Sequence, residues 1–116
     1  MDLSTHAHLP WTVCHVTGDV ELLNAHALRE HLLDALEQPG HRVLLDLSAV
    51  TFMDASGLGV LVFIKRMAIL RGGALRLLAP SSAVCRLLMA SGLSGHFTVG
   101  PDLVVAEQPE PGLEAT

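Results

Sequence analysis

The sequence has few aromatic residues and few basic ones. It contains no tyrosine, one tryptophan and three phenylalanines, and its seven lysines and arginines are outnumbered by 12 aspartates and glutamates, for a formal net charge of -5. Single-stranded nucleic acids need aromatic side chains for base stacking, and any polyanion needs clustered lysine and arginine. The composition therefore argues against nucleic acid as a partner.

The chain also lacks a long apolar run and a close pair of cysteines. The central stretch LGVLVFI is far shorter than the ~18 apolar residues that a membrane span requires. The first residues, MDLSTHAHLPW, contain neither the basic leader nor the apolar segment of a secretory signal, so we expect a cytoplasmic protein that binds no membrane. Cys14 and Cys85 lie far apart in apolar segments, which favours buried, reduced thiols over a disulfide or a metal site.

Half of the 116 residues are hydrophobic, and they fall into alternating strand-like and helix-like segments. The patterns predict strands at 11–18, 42–50 and 74–79 and helices at 24–38, 56–70 and 81–91, with a short edge strand at 96–99 and a brief helix at 102–107. Such alternation implies mostly parallel strands with helices covering the sheet, on both faces of the apolar strand at 42–50. We therefore predict one α/β domain, at 8–107, with a mixed, mostly parallel sheet of four to five strands and about four helices. Residues 108–116 are predicted to be a flexible tail.

The stretch FMDASGLG places one serine, Ser56, between a strand and a helix. If the strand ends near Leu47, the hydroxyl should lie exposed at the carboxyl edge of the sheet, where α/β proteins usually place function. Gly57 would let another molecule approach it closely. The alternative is that Ser56 or Asp54 caps the helix, which is compatible with access from solvent. A nucleophile elbow, G-x-S-x-G, is not formed, because Asp54 and Leu58 occupy the glycine positions, and this counts against a small hydrolase.

The helix that follows Ser56 is apolar around most of its circumference. Helical spacing assigns Leu61, Ile64 and Ala68 to the core. The opposite side then carries Gly59, Val62, Phe63 and Ile69 beside Arg66. Apolar residues exposed next to a modifiable serine favour a partner surface, whereas the alternative is a helix buried on two sides.

The sequences DLSAVTFMDASGLGVL, RGGALRLLAPSSAVCRLLMASGL and VTGDVELLNA, in their order along the chain, resemble the STAS domain of bacterial anti-sigma-factor antagonists. The resemblance implies a compact sheet-and-helix domain in which Ser56 is phosphorylated by a partner kinase that is also an anti-sigma factor. It also implies partner contacts on the turn with Asp19 and Glu21. The family commonly has glutamate at the first of these two positions and aspartate at the second, and here the order is reversed. We therefore expect that the choice of partner differs.

The resemblance implies a switch in bacterial transcription regulation, without enzymatic activity. Unphosphorylated, the protein would bind the kinase/anti-sigma factor and free a sigma factor, and phosphorylation of Ser56 would end that binding. The residues expected to contact the partner are Asp19, Glu21, Asp54, Gly57, Gly59, Val62, Phe63 and Arg66.

The resemblance also implies that the protein needs no cofactor of its own. ATP and Mg²⁺ would come with the kinase, a phosphatase would reverse the modification, and the protein would be a monomer or weak dimer. No metal site is predicted, because His6 and His8 alone, in a terminus expected to fray, are too few ligands. The alternative function is a STAS scaffold or transport-complex subunit without phospho-switching.

Overall fold

Strands and helices alternate along the chain after an initial hairpin. The computed structural model describes residues 1–101. The strands are β1 (Asp2–His8), β2 (Trp11–Val20), β3 (Arg42–Met53), β4 (Ala74–Leu78) and β5 (Thr98–Gly100). The helices are α1 (Ala25–Leu36), α2 (Ala55–Leu70) and α3 (Ser82–Ser91), followed by a 3₁₀ turn at Ser94–His96.

The five strands form one sheet in the order β1-β2-β3-β4-β5. Strand β1 is antiparallel to β2, to which it is joined through a cis Leu9–Pro10 bond, and every other neighbouring pair is parallel. The predicted α/β class with a mixed, mostly parallel sheet is therefore confirmed. The helix predicted at 102–107 and the tail predicted at 108–116 lie outside the described residues.

Helix ends follow the local signals in the sequence. Asn24 precedes α1, Ser81 caps α3 by accepting a hydrogen bond from the Val84 backbone N–H, and Gly92 ends α3 in the left-handed conformation at φ 75°. A left-handed residue after a helix favours glycine, because other residues meet steric strain at their Cβ atoms. These three boundaries were predicted from the residues alone, but the Asn24 side chain, expected to cap α1, makes no capping hydrogen bond to it.

Two predicted boundaries were wrong. The N-terminal residues, expected to fray and placed before a domain starting at residue 8, form β1 and pair with β2 over seven residues. Strand β3, expected to end near Leu47, continues to Met53, because β2 keeps pairing with it as far as Val20 through two register shifts. The loop expected before α2 is therefore reduced to a single residue, Asp54.

The three described helices all pack on one face of the sheet. There they cover alternate strand residues such as Val43, Leu45 and Leu47, whereas the second face carries a separate apolar cluster of Trp11, Val13, Leu44 and Leu78. Right-handed crossovers that proceed across a sheet in one direction place their helices on the same side. The expectation that helices cover both faces of β3 is thus wrong for residues 1–101.

The two cysteines are free, as expected, and differ in burial. Cys14 is fully buried in the core, and this burial raises the pKa of its thiol, although a hydrogen bond from the Thr5 hydroxyl acts in the opposite direction. Cys85 on α3 is partly buried. Among the described helices, none has the length and apolar character needed to cross a membrane.

Candidate functional site

Two segments meet at the carboxyl edge of the sheet beside Ser56. One is the end of β2 together with the turn that follows it, which carry Asp19 and Glu21, and the other is the junction between β3 and α2. The Asp54 backbone N–H donates to the Val20 carbonyl at 3.2 Å, and the Leu22 backbone N–H donates to Asp54 Oδ2 at 3.2 Å. These bonds hold the turn against the start of α2, and we call the two segments together the Ser56 site.

Asp54 is the residue that caps α2. Its Oδ1 accepts hydrogen bonds from the backbone N–H groups of Ser56 at 2.9 Å and Gly57 at 3.3 Å. Of the two capping alternatives, the structure therefore selects Asp54. Ser56 lies half-exposed in the first turn, and within residues 1–101 its hydroxyl makes no hydrogen bond. A hydroxyl that carries no structural hydrogen bond can be modified without loss of the cap.

The turn beside Ser56 is held by its own hydrogen bonds. Asn24 Oδ1 accepts from the Glu21 backbone N–H at 2.9 Å, and Asn24 Nδ2 donates to the Asp19 carbonyl at 2.9 Å. The Asp19 carboxylate accepts from the Thr51 hydroxyl on β3 at 2.5 Å. Both residues are exposed, and the Asp19 carboxylate is engaged by the Thr51 hydroxyl.

Two exposed leucines in this turn were missed from the sequence. Leu22 is 74% exposed and Leu23 is 89% exposed, next to the helix start that carries Ser56. Large apolar side chains that are exposed to solvent beside polar groups are typical of partner-binding surfaces. The available signal was their position in VELLNA, where they precede the helix start and so do not belong to the apolar stripe of α1.

Helix α2 buries the residues that its periodicity predicted, but its exposed face is narrower than expected. Leu61, Ile64 and Ala68 are buried, and Gly59, Arg66 and Ile69 are exposed. Val62 and Phe63, predicted to face outward, are half-buried and pack against the core. The Phe63 ring also lies 4.4 Å beneath the guanidinium of Arg29 on α1, because α1 packs along that flank of α2.

The two glycines at the start of α2 differ in their surroundings. A Cβ at Gly57 would lie 2.7 Å from Met53 Cγ and 2.8 Å from Val20 Cγ1, so this buried residue lets the helix approach the sheet rather than leaving room for a partner. A Cβ at Gly59 would meet nothing within 4 Å. Open space next to Ser56 is therefore found at Gly59. The expectation that Gly57 lets another molecule approach Ser56 closely was wrong.

Comparisons with known proteins agree with this architecture. The family model of the STAS domain matches residues 2–106. The anti-sigma-B factor antagonist of Bacillus subtilis is 35% identical over 79 residues, which are 68% of this chain and 72% of that protein.

Solved structures match over a larger share of the chain. An anti-sigma factor antagonist from Mycobacterium paratuberculosis has a TM-score of 0.80 and 25% identity, with 90% of this chain and 89% of that chain covered. SpoIIAA of Bacillus matches in its unphosphorylated form, with a TM-score of 0.71, 20% identity and coverage of 85% and 88%. Its phosphorylated form has a TM-score of 0.65 at the same identity, with coverage of 85% and 91%. The likeness to SpoIIAA shows the fold alone. The order of elements and the helix start capped by Asp54 beside Ser56 agree with the match to the family model. The chain therefore belongs to the STAS domain family.

Proposed function

We propose that this protein is an anti-sigma-factor antagonist controlled by phosphorylation of Ser56. Unphosphorylated, it binds a kinase that is also an anti-sigma factor and so frees a sigma factor in the cytoplasm, and the phosphorylated form no longer binds. A phosphatase restores the active form. The protein itself performs no catalysis, since ATP and Mg²⁺ are brought by the kinase.

The observation that carries this proposal is the setting of Ser56. The hydroxyl is half-exposed at the edge of the sheet, and the capping function that would otherwise engage it belongs to Asp54. A kinase must bring the γ-phosphate of ATP in line with an accessible hydroxyl, and this one needs no local unfolding to be reached. The sequence identity to the anti-sigma-B factor antagonist supports an anti-sigma factor as the partner.

The surroundings of Ser56 explain how one phosphate would end binding. Leu22 and Leu23 supply exposed apolar area in the turn that is bonded to Asp54, and Gly59 leaves open space one turn further along α2. A partner that covers this surface removes water from Ser56. A phosphoserine carries about -1.5 to -2 charges, and burying such a group opposite a surface shaped for a neutral hydroxyl is strongly unfavourable. The phosphorylated protein would therefore dissociate without a change of fold.

The test is incubation of the protein with its cognate anti-sigma kinase and Mg²⁺-ATP, followed by mass spectrometry of the intact protein and its peptides. We expect one phosphate, on Ser56, and none in Ser56→Ala. Ser82→Ala is the matched control, because Ser82 is an exposed serine in the first turn of α3. The control should be phosphorylated as fast as the wild type.

Binding of the same kinase is measured in parallel. Ser56→Ala should bind it and remain bound after ATP is added, whereas the wild type should be released. Phosphate entering Ser56→Ala at the wild-type rate would place the acceptor elsewhere and contradict the proposal. Stable binding of the wild type without any phosphorylation would instead favour a STAS scaffold.

A further inference from the structure

A cluster of titratable side chains lies on the second face of the sheet, which none of the three described helices covers. Strand pairing brings His6 of β1, His15 of β2 and Asp46 of β3 next to one another: His15 pairs with Asp46 across the parallel strands, and His6 lies two residues along β1 from the residue that pairs with His15. Along the chain, the histidine next to His6 is His8. The sheet register instead makes His15 the neighbour of His6.

The His15 ring is held in one orientation by Asp46. His15 Nδ1 lies 2.7 Å from Asp46 Oδ2, while Asp46 Oδ1 accepts hydrogen bonds from the Ser48 hydroxyl at 2.7 Å and from its backbone N–H at 2.9 Å. A carboxylate can only accept, so Nδ1 of His15 carries a proton, and Nε2 is the ring nitrogen left to face other groups. In metal sites, a histidine ligand commonly donates its other N–H to a carboxylate, and that carboxylate fixes the orientation of the ring in the same way.

The second nitrogen of His15, Nε2, faces the imidazole of His6. His15 Nε2 lies 3.2 Å from His6 Nδ1, and the two rings are stacked with centroids 5.0 Å apart and planes 20° from parallel. Two nitrogens bound at about 2.0–2.1 Å to one metal ion in tetrahedral geometry are separated by roughly 3.3 Å. The observed spacing is thus close to that of two ligands on one ion, and the exposed His6 ring is free to make the small rotation that remains.

We propose that His6 Nδ1 and His15 Nε2 form a binding site for a divalent transition-metal ion of the class that prefers imidazole, such as Zn²⁺ or Cu²⁺, with Asp46 as the positioning residue. Within residues 1–101 no group of three or more His, Cys, Asp or Glu side chains is arranged to hold a metal, so the site offers two protein ligands, and water completes the coordination. When the metal binds, the proton that His6 holds on Nδ1 moves through solvent to Nε2 of the same ring. No net proton is released while both imidazoles are neutral.

The site lies apart from the Ser56 site. His6, His15 and Asp46 project from the face opposite to α2, so metal binding requires neither an exposed nor a phosphorylated Ser56. The inference therefore stands independently of the proposed function.

The site is tested by isothermal titration of the untagged protein with Zn²⁺, and by electron paramagnetic resonance with Cu²⁺ as a spectroscopic probe. We expect one equivalent of Zn²⁺ and a Cu²⁺ spectrum with coupling to two imidazole nitrogens. His6→Ala should lower the Zn²⁺ association constant at least about tenfold and leave one coupled nitrogen. Asp46→Asn should lower it by about tenfold or more, because the orientation of His15 is lost.

His26→Ala is the matched control, since His26 is an exposed histidine on α1 beside Glu30 and lies outside the cluster. It should bind Zn²⁺ like the wild type. Melting curves without metal establish that each variant is folded, and His6→Gln replaces His6→Ala if the latter is not. Wild-type affinity in a folded His6 variant, or a loss of affinity in His26→Ala equal to that in His6→Ala, would show that the two rings are only hydrogen-bonded, and the proposal would be overturned.

Discussion

At the scale of single residues, Asp54 connects the cap of α2 to the turn before α1. One oxygen accepts from the Ser56 and Gly57 N–H groups, and the other accepts from the Leu22 N–H. The Ser56 and Gly57 N–H groups would otherwise lack a partner, since the first N–H groups of a helix have none within it. Asp54 therefore determines both where α2 begins and how the exposed leucines lie relative to Ser56.

Replacing this cap should cost stability. Asp54→Ala is expected to lower the free energy of unfolding by about 1–2 kcal/mol, because the N-cap acceptor and the bond to the turn are both removed. Asp54→Asn keeps an acceptor oxygen for the cap but turns an NH2 group toward the Leu22 N–H, so it should lose the bond to the turn and cost less stability than Asp54→Ala. Urea denaturation of the two variants measures the difference, and equal losses in both would mean that the cap oxygen adds nothing to the stability that the bond to the turn and the charge of Asp54 supply.

The pKa of Asp46 makes the stability of the fold depend on pH. Burial raises the pKa of this carboxyl, but the hydrogen bonds from Ser48 and the contact with His15 together outweigh burial, so that the pKa of Asp46 lies below its ordinary value. A lowered pKa in the folded state stabilises the fold above the unfolded pKa of about 3.9, and this contribution is lost as the pH falls through the folded pKa.

Asp46→Asn should therefore make the fold less sensitive to acid. The wild type should be more stable than the variant near neutral pH, and this advantage should shrink as the pH is lowered below about 4, because the wild-type carboxyl becomes protonated. Unfolding by urea at neutral pH and at about pH 3 provides the comparison. A difference between the two proteins that stays constant with pH would contradict the assignment.

At the scale of elements, α2 uses its two early glycines for different purposes. Gly57 faces the sheet, where a side chain would overlap Met53 and Val20, and Gly59 faces solvent beside Ser56. Glycine within a helix costs about 1 kcal/mol relative to alanine. That cost is balanced by close packing at Gly57, whereas the described residues contain no such packing at Gly59. We infer that Gly59 is small because a partner approaches it.

The two glycines can be compared directly. Gly59→Ala should stabilise the free protein by about 1 kcal/mol and weaken binding of the anti-sigma kinase, because the new methyl group lies in the partner surface. Gly57→Ala should destabilise the protein, since overpacking typically costs about 1–3 kcal/mol and exceeds the gain in helix propensity. Thermal melts and binding titrations of both variants provide the test. Unchanged partner affinity in Gly59→Ala would remove this helix face from the interface.

At the scale of the whole molecule, the proposed switch does not require the domain to refold. A phosphate on Ser56 would sit at the N-terminal end of α2, where the helix dipole favours an anion by about 0.3–1 kcal/mol. The neighbouring Asp54, Asp19 and Glu21 carboxylates oppose it, but repulsion between exposed charges is screened by salt. The two effects are of similar size, and the fold should keep its stability.

Phosphorylation should therefore shift the melting temperature of the free protein by no more than about 4 °C, which corresponds to about 1 kcal/mol in a domain of this size. Binding to the kinase should nevertheless be lost at the same salt concentration. Melting curves before and after phosphorylation, together with titrations of the partner, test both statements. A large fall in melting temperature would show that the switch acts by unfolding the start of α2.

The sequence by itself determined the features that depend on nearby residues. Ser81 and Gly92 marked helix boundaries because capping involves backbone groups within a turn of the cap, and Asn24 directly precedes α1 although its side chain does not cap that helix. The alternation of strand and helix patterns predicted the parallel part of the sheet, and the residues around Ser56 predicted the STAS family. The core side of α2 could also be predicted, since helical spacing alone places Leu61, Ile64 and Ala68 on one side.

The tertiary structure decided what depends on contacts between distant segments. Strand β1 was not predicted because DLSTHAH is mostly exposed and forms a strand only where β2 supplies its hydrogen-bond partners. Phe63 is half-buried because α1 packs against α2. The register of three strands brings His6, His15 and Asp46 together. Strand pairing and side-chain packing are set by residues far apart along the chain, so local patterns cannot specify which of them meet.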